Sequence, residues 1–327
     1  GGSQILAFFG SMAIARIAGP EVFGVFAIAS AIVLIGNIFA EAGFSSTIIY
    51  DDVFCSEKAS TILWLSVFIS ILIFLLLFLC AKPLAVHFGA PRLQSILPFM
   101  AVTCIVSSLG NVHATLITRK LQFKKKAILS LISNSLAVVV GVTVAFSGFP
   151  LVGLTVIFIL NPFLMTTFMW LLAPWPVKFL CKPQLLIVNV AYASNIALSS
   201  FLDQISKSSV TFLIGQRFDI ATVGYFSRAE AVKNIASQTI DKVIQRVSFP
   251  VFSRARNNRE DFISSHLLIS QALILVLLPL CWFIQKFSND IVELLFGIGW
   301  SKSASILKIA IFGGFCFPLT SLNLTLL

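Results

Sequence analysis

Long uninterrupted runs of apolar residues restrict what this chain can fold into. The run Ile62–Ala81 contains only two serines among twenty otherwise apolar positions. A helix of that length spans roughly 30 Å of hydrocarbon, the thickness of a bilayer core. We therefore expect this run to cross a membrane, to face lipid or neighbouring helices, and to carry no chemistry.

The composition supports the same conclusion for the whole chain. Of its 327 residues, 58% are hydrophobic and only 11% are charged, whereas a soluble domain has about 25% charged residues. The chain is therefore predicted to be a polytopic membrane protein. The net charge of +10 resides mostly in short loops, so we expect anionic lipid or an anionic substrate as partner, and no nucleic acid. The six cysteines are scattered without a CxxC motif, so neither a metal site, a disulfide framework nor a cofactor is expected.

The pattern of apolar runs predicts an all-α bundle of about ten transmembrane helices. Their expected positions are about Ile5–Ile17, Val22–Phe44, Ile62–Ala81, Leu93–Ile117, Ala127–Ser147, Leu151–Leu172, Leu185–Ile214, Val223–Ser248, Phe262–Ile284 and Ala304–Leu327. Loops are expected at Lys82-Pro83 together with His87–Arg92 and at Gln285–Ser303, and a tight turn at Gly148-Phe149-Pro150. Both ends of the chain lie inside apolar runs, so we interpret it as truncated at each end.

The basic residues predict the orientation in the membrane. Five of the nine residues in Thr118–Lys126 are Lys or Arg. Counted with the helix ends beside them, the loops that follow even-numbered helices hold 13 basic residues, and the opposite side holds 7. Because cytoplasmic loops are enriched in Lys and Arg, the N-terminus is predicted to be cytoplasmic.

Two predicted helices carry polar residues at three- and four-residue steps, which places those residues on one helical face. The stripe on predicted helix 7 consists of Asn195, Ser199, Asp203, Ser206 and Lys207, and that on helix 8 of Glu230, Lys233, Asn234, Ser237, Asp241, Gln245 and Ser248. An ionised side chain in hydrocarbon costs at least about 2.5–3.5 kcal/mol, so such residues usually face a bundle interior or a wet cavity. The stripes indicate a hydrophilic space inside the membrane.

A short sequence pattern recurs at an offset of 200 residues. Ile14, Gly24 and Phe26 correspond to Ile214, Gly224 and Phe226, each set spanning a helix end, a polar turn and a helix start. Chance, or a generic interfacial turn, is the alternative explanation. The offset equals the distance between predicted helices 1 and 7, as two six-helix lobes would give. We expect an N-terminal lobe at 1–180 and a partial C-terminal lobe at 181–327.

Five segments resemble the Wzx-type polysaccharide exporters of the MATE-like (MOP) flippase superfamily, most of all the colanic-acid-exporter type. They are IARIAGPEVFGVF (Ile14–Phe26), RKLQFKK (Arg119–Lys125), APW (Ala173–Trp175), LIGQRFDIATVGYFSRA (Leu213–Ala229) and VSFPVFSRA (Val247–Ala255). The resemblance implies a MATE-like two-lobe architecture around a central cavity, here with a truncated second lobe. It implies flipping of undecaprenyl-diphosphate-linked oligosaccharides across a bacterial inner membrane, with membrane lipids and other polysaccharide assembly proteins as partners.

A flippase for such a substrate needs cations for the diphosphate and polar groups for the sugars. The candidate cations are Arg228, Lys233 and Lys207, because Arg binds phosphate bidentately and Lys acts as a point charge. The candidate sugar-binding residues are Asn195, Ser199, Asn234 and Ser237. The candidates for a coupling proton or sodium ion are Asp203, Glu41 and Asp241.

Other interpretations of these residues stay open. Asp203 and Lys207 are four residues apart and could form an intrahelical ion pair. Arg228 lies off the Glu230 stripe and could snorkel to a headgroup, and Glu41 could be a headgroup-level carboxylate.

The function has two alternatives. A cation-coupled drug antiporter of the same fold would favour acidic cavity residues over basic ones. A membrane enzyme acting on lipid-linked glycans would need a large Arg-rich outer loop, whereas the longest candidate is Gln285–Ser303. The chain contains no GxSxG, HExxH, P-loop or GxGxxG motif, so catalysis is not expected.

Overall fold

A computed structural model describes residues 2–41, 48, 55–172, 174–179, 182, 190–255 and 259–324. All regular secondary structure in these residues is helical, as the sequence predicts for an all-α protein. The helices are α1 (Gly2–Ala15), α2 (Pro20–Glu41), α3 (Ser56–His87), α4 (Pro91–Arg119), α5 (Phe123–Phe146), α6 (Pro150–Leu172), α7 (Val190–Arg217), α8 (Ile220–Ala255), α9 (Arg259–Lys286), α10 (Ser288–Phe296), a 3-10 turn (Ile298–Trp300) and α11 (Ser301–Leu324).

Six of the described helices are long and apolar enough to cross a membrane: α2, α3, α4, α5, α6 and α9. The chain is therefore a multi-pass membrane protein. On α3, Leu72, Leu76 and Leu79 are half or more exposed, as expected for a surface that contacts acyl chains. Helices α7 and α8 carry the ionisable residues Asp203, Lys207, Arg228, Lys233 and Asp241, and these residues make the two helices less apolar.

The chain divides into two compact units, Gly2–Gly224 and Tyr225–Leu327. In the first unit, α4 packs against α2, α3, α5 and α6, while α1 packs on α5 and α7 on α2. Ile28, Leu97 and Met100 are fully buried between α2 and α4. Polar side chains also join helices, since Asn134 Nδ2 on α5 donates to the Ser3 carbonyl on α1 at 2.8 Å. Such bonds between helices are typical of membrane bundles.

The helix boundaries show where the local sequence rules hold and where they fail. The predicted tight turn between α5 and α6 is confirmed, because Gly148 has a φ of 98° and Pro150 begins α6. A left-handed φ favours Gly, and Pro suits a first helical turn. The loop predicted over Lys82-Pro83 and His87–Arg92 is wrong in its first part, since α3 continues through Pro83 to His87, and is confirmed before Pro91, where α4 begins. Membrane helices tolerate an internal proline because neighbouring groups satisfy the freed carbonyl.

In the second unit, α11 packs against α9 and α10. Its interior includes the fully buried side chains Leu277, Phe296 and Leu307. The stretch Gln285–Ser303, expected to be a hydrophilic loop, instead contains α10 and a 3-10 turn. Apolar residues spaced along one face of α10 explain the difference, because that face packs inward.

Candidate functional site

The polar stripe of α7 lies on the surface of the first unit. Asn195 and Ser199 are exposed, and so are Asp203 and Lys207, whose side chains are about 60% exposed. Lys207 Nζ and Asp203 Oδ2 are 2.5 Å apart, so the intrahelical ion pair considered from the sequence is present. The two candidates thus form a neutral pair in this structure, on a surface that also presents Asn195 and Ser199.

The polar stripe of α8 contains a second ion pair, within the second unit. Lys233 Nζ lies 2.5 Å from Glu230 Oε1, and both side chains are largely buried, with exposed fractions of 18% and 26%. Asn234 is exposed and its Nδ2 lies 3.5 Å from Glu230 Oε2. Because this pair is less exposed than the pair on α7, water screens it less. Glu230 is thus the centre of a three-residue polar cluster.

Ser237 lies one turn further along the same face and is buried. Its hydroxyl donates to the Gly314 carbonyl on α11 at 3.1 Å. A methyl group at Gly314 would lie 2.7 Å from Lys233 Cγ, so α11 covers this part of the stripe closely. The hydroxyl of Ser237 joins two helices here, and its role toward a sugar stays a prediction.

The remaining candidates occupy different environments. Arg228 is half-buried on α8 and its Nε atom is enclosed within the protein. Asp241 is also half-buried, and its Oδ1 atom is enclosed in the same way. Glu41 is the last residue of α2 and is exposed. One turn before it, Asn37 Oδ1 is buried without a hydrogen-bond partner in the described part of the chain. The structure therefore brings together Asp203 with Lys207 and Glu230 with Lys233.

The α1–α2, α3–α4 and α7–α8 turns meet at one end of the first unit. They line a cavity of about 530 Å³ with Glu21, Arg92 and Asp219 among its walls. Asp219 caps α8, because its Oδ1 accepts hydrogen bonds from the amide and hydroxyl of Thr222. The common location fits the predicted alternation of loops between the two membrane sides.

The repeated glycines make a reciprocal contact beside this cavity. A methyl group at Gly24 would overlap the Ile220 carbonyl oxygen, and one at Gly224 would overlap the Pro20 carbonyl oxygen. Pro20 and Ile220 are themselves 200 residues apart, so the two halves of the contact are equivalent. The repeat was visible in the sequence, but its role as a contact surface was not.

The segment that follows α6 is another feature that sequence reasoning missed. Ser56 Oγ donates to the Pro176 carbonyl at 2.7 Å, and Trp64 Nε1 donates to the Lys178 carbonyl at 3.1 Å. Glu57 forms ion pairs with Lys178 at 3.4 Å and Lys182 at 2.8 Å. The Glu57 carboxylate raises the pKa of Lys182 through this hydrogen bond and its charge. Partners separated by more than 110 residues leave no local signal in the sequence.

Comparison with solved structures assigns the fold. The chain aligns over 98% of its length with the lipid II flippase MurJ in an inward closed conformation, at a TM-score of 0.76, 15% identity and 72% of that chain. It also aligns with an inward-facing multidrug resistance MATE family transporter of the MOP superfamily, at a TM-score of 0.68, 16% identity and 83% of that chain. The fold is therefore MATE-like, as the resemblance implied.

Sequence comparison assigns the family. Residues 13–305 match the model of a family described as "Polysaccharide biosynthesis protein", and the chain belongs to that family. Similar proteins include the succinoglycan biosynthesis transport protein ExoT of Rhizobium meliloti (strain 1021), 24% identical over 90% of this chain and 60% of the relative. The lipopolysaccharide biosynthesis protein WzxC of Escherichia coli (strain K12) is 20% identical over 90% of this chain and 61% of the relative. The chain thus spans about three-fifths of the length of these relatives.

Proposed function

We propose that this protein flips oligosaccharides linked to undecaprenyl diphosphate across a bacterial inner membrane, for export of surface polysaccharide. The observation that carries the proposal is the family match over residues 13–305. The names of ExoT and WzxC, a transport protein and a lipopolysaccharide biosynthesis protein, support it. The MurJ-like fold adds that a lipid-linked glycan is a suitable cargo for this architecture.

The physical task explains why polar residues are needed in these helices. A diphosphate with attached sugars cannot cross about 30 Å of hydrocarbon unassisted, whereas a polyprenyl tail can remain in lipid. The protein must offer the headgroup a polar route. We assign the diphosphate to Arg228, Lys233 and Lys207, and the sugars to the hydroxyl and amide groups of Asn195, Ser199, Asn234 and Ser237.

The two ion pairs suggest how transport is coupled to an ion. Lys207 is neutralised by Asp203, and Lys233 by Glu230, so neither lysine offers a full charge to a diphosphate. Protonation of the carboxylate, or its capture of a sodium ion, releases the lysine for the anionic headgroup. Asp203 is therefore our first coupling candidate, followed by Asp241 and Glu41, and the partly exposed Glu230 joins them.

The finer architecture belongs to the same proposal. We propose about ten transmembrane helices, with α1, α7, α8 and α11 joining the six strongly apolar ones. The N-terminus lies in the cytoplasm, and an N-terminal lobe of residues 1–180 precedes a partial C-terminal lobe of residues 181–327. Lipid-linked oligosaccharide, membrane lipids and other polysaccharide assembly proteins are the partners.

Complementation tests the proposal. The protein is expressed in a bacterial strain that lacks its own exporter, and surface polysaccharide and lipid-linked repeat units in the inner leaflet are measured. We expect Arg228→Ala and Lys207→Ala to reduce surface polysaccharide while repeat units accumulate and the protein stays in the membrane. Arg217→Ala, at the end of α7, is the control. Normal export by both variants contradicts the cationic assignment.

A cation-coupled drug antiporter is the second candidate, because the MATE multidrug transporter shares the fold. It predicts that the protein exports cationic drugs and that Asp203→Asn abolishes this without affecting polysaccharide. An enzyme acting on lipid-linked glycans is a weaker candidate, and we propose transport in preference to catalysis. A drug-resistance assay in the same strain separates the two transport functions.

A further inference from the structure

A second cavity, of about 390 Å³, lies at the C-terminal ends of α4 and α6. We call it the basic pocket. It lies in the first unit, where α4 ends, α5 begins and α6 ends, and Arg119, Lys120 and Lys125 are among its walls. Because these three helices are candidate membrane spans, their common end lies at the level of the lipid headgroups.

The described lining of the basic pocket is cationic. Among the residues that the structure describes, three cationic side chains and no carboxylate line it. Lys125 Nζ donates one hydrogen bond to the Leu172 carbonyl at 2.8 Å, which leaves two of its three donors available. Lys120 has no hydrogen bond or ion pair in the described part of the chain. The pocket therefore offers several donors and a net positive charge to an anion.

The remaining walls of the basic pocket are apolar and held in place. Leu116 and Leu172 line it beside Trp175, whose ring lies 5.9 Å from that of His113. Trp175 belongs to the segment after α6. Carbonyl groups of this segment accept hydrogen bonds from α3, and one of its lysine side chains forms an ion pair with α3. A tryptophan at the end of membrane helices suits the headgroup region, because its apolar ring can contact acyl chains while its N–H group contacts water.

The α4–α5 turn beside the pocket also exposes apolar side chains. Leu121 is 74% exposed and Phe123 is 55% exposed. Leu121 adopts a φ of 54°, a conformation that is unfavourable for a bulky side chain. Exposed apolar side chains between lysines are typical of a surface that inserts into the headgroup layer. The apolar side chains contact the acyl chains there, and the lysines contact lipid phosphates.

From this arrangement we propose that the basic pocket binds the phosphate headgroup of an anionic phospholipid. The described lining offers cations to a phosphate and no carboxylate to a headgroup amine, so it favours an anionic headgroup over a zwitterionic one. The cavity at the opposite end, with Glu21 and Asp219 beside Arg92, lacks this property. Apolar walls and the membrane depth favour a lipid over a free phosphate. The site goes beyond the proposed transport function, because the ligand is a membrane lipid and not the cargo.

Lipid binding by the purified protein tests the site. The protein in nanodiscs of phosphatidylcholine is titrated with spin-labelled phosphatidylglycerol, and the dissociation constant is measured. Because a basic residue near an anionic lipid contributes about fivefold in affinity, Lys120→Gln should weaken binding about fivefold. Lys120→Gln with Lys125→Gln should weaken it about 25-fold. Lys124→Gln, in the same turn but outside the pocket lining, is the matched control and should change affinity less than twofold.

The outcomes are decisive for the site and independent of transport. Equal loss in Lys120→Gln and Lys124→Gln would mean diffuse surface attraction, and it overturns the pocket. Tight binding of glycerol phosphate, which lacks acyl chains, identifies a free-phosphate site instead. Tighter binding of polyprenyl diphosphate than of phosphatidylglycerol at these lysines identifies a cargo site. Equal binding of spin-labelled phosphatidylethanolamine contradicts the selectivity for anionic headgroups.

Discussion

The reciprocal glycine contact predicts a specific and measurable loss of stability. An alanine methyl at Gly24 would overlap a backbone oxygen and lie 2.8 Å from Ile220 Cγ2. Because the obstacle is a backbone, it cannot rotate away, and the helices must move apart. Overpacking costs about 1–3 kcal/mol, and a backbone obstacle places Gly24→Ala near the upper end.

The intrinsic preference of alanine for helices opposes this loss. Gly24 lies inside α2, where alanine is favoured over glycine by about 1 kcal/mol. The net effect is therefore a decrease of about 2 kcal/mol in the free energy of unfolding. The same argument applies to Gly224→Ala in α8, whose methyl meets the Pro20 carbonyl and lies 3.1 Å from the Gly24 nitrogen.

The two substitutions should not be additive. Once Gly24→Ala has separated the helices, Gly224→Ala meets less resistance, so the double variant should lose at least about 0.5 kcal/mol less than the sum. Chemical unfolding of the purified protein in mild detergent gives the four free energies of the cycle. Gly19→Ala is the control, because no atom lies within 4 Å of its added methyl. The contact would be refuted if Gly24→Ala lowered the free energy of unfolding no more than Gly19→Ala does, or if the losses of the two single variants were strictly additive.

Two smaller effects follow from other contacts. Ser237→Ala removes the buried hydrogen bond to Gly314 and should lower the free energy of unfolding by about 1 kcal/mol, measured in the same detergent assay, with exposed Thr239→Ala unchanged. Glu57→Gln breaks two exposed ion pairs that water screens, so the free energy of unfolding should stay nearly unchanged while limited proteolysis after α6 becomes faster. Protection equal to that of the unmodified protein would show that these ion pairs do not hold the segment.

The apolar pattern was sufficient to predict the general architecture. Runs such as Ile62–Ala81 predicted membrane helices because hydrocarbon imposes a length and a composition. The Gly148 turn was predictable because glycine and proline have strong local preferences. Helix ends were not, since α3 continues through Pro83 to His87 where a loop was expected. Tertiary packing determines where α3 ends, and rules based on local sequence do not take packing into account.

The candidate site was predictable only in part, for a similar reason. The spacing of Asp203 and Lys207 allowed an ion pair, because residues four apart on a helix are neighbours. No spacing rule could join Glu57 to Lys178 and Lys182, because their contact depends on how α6 returns toward α3. The sequence also predicted Ser237 as a sugar-binding residue, but it gave no sign of the hydrogen bond from Ser237 to the Gly314 carbonyl.

Flipping by the reconstituted protein is the sharpest test of the proposed transport function. Proteoliposomes carry an undecaprenyl-diphosphate-linked oligosaccharide with a fluorescent sugar, and a membrane-impermeant quencher is added outside. We expect the protein to make the label of both leaflets accessible to the quencher, and Arg228→Ala to slow this exchange. Quenching confined to the outer leaflet, as in liposomes without protein, would contradict it.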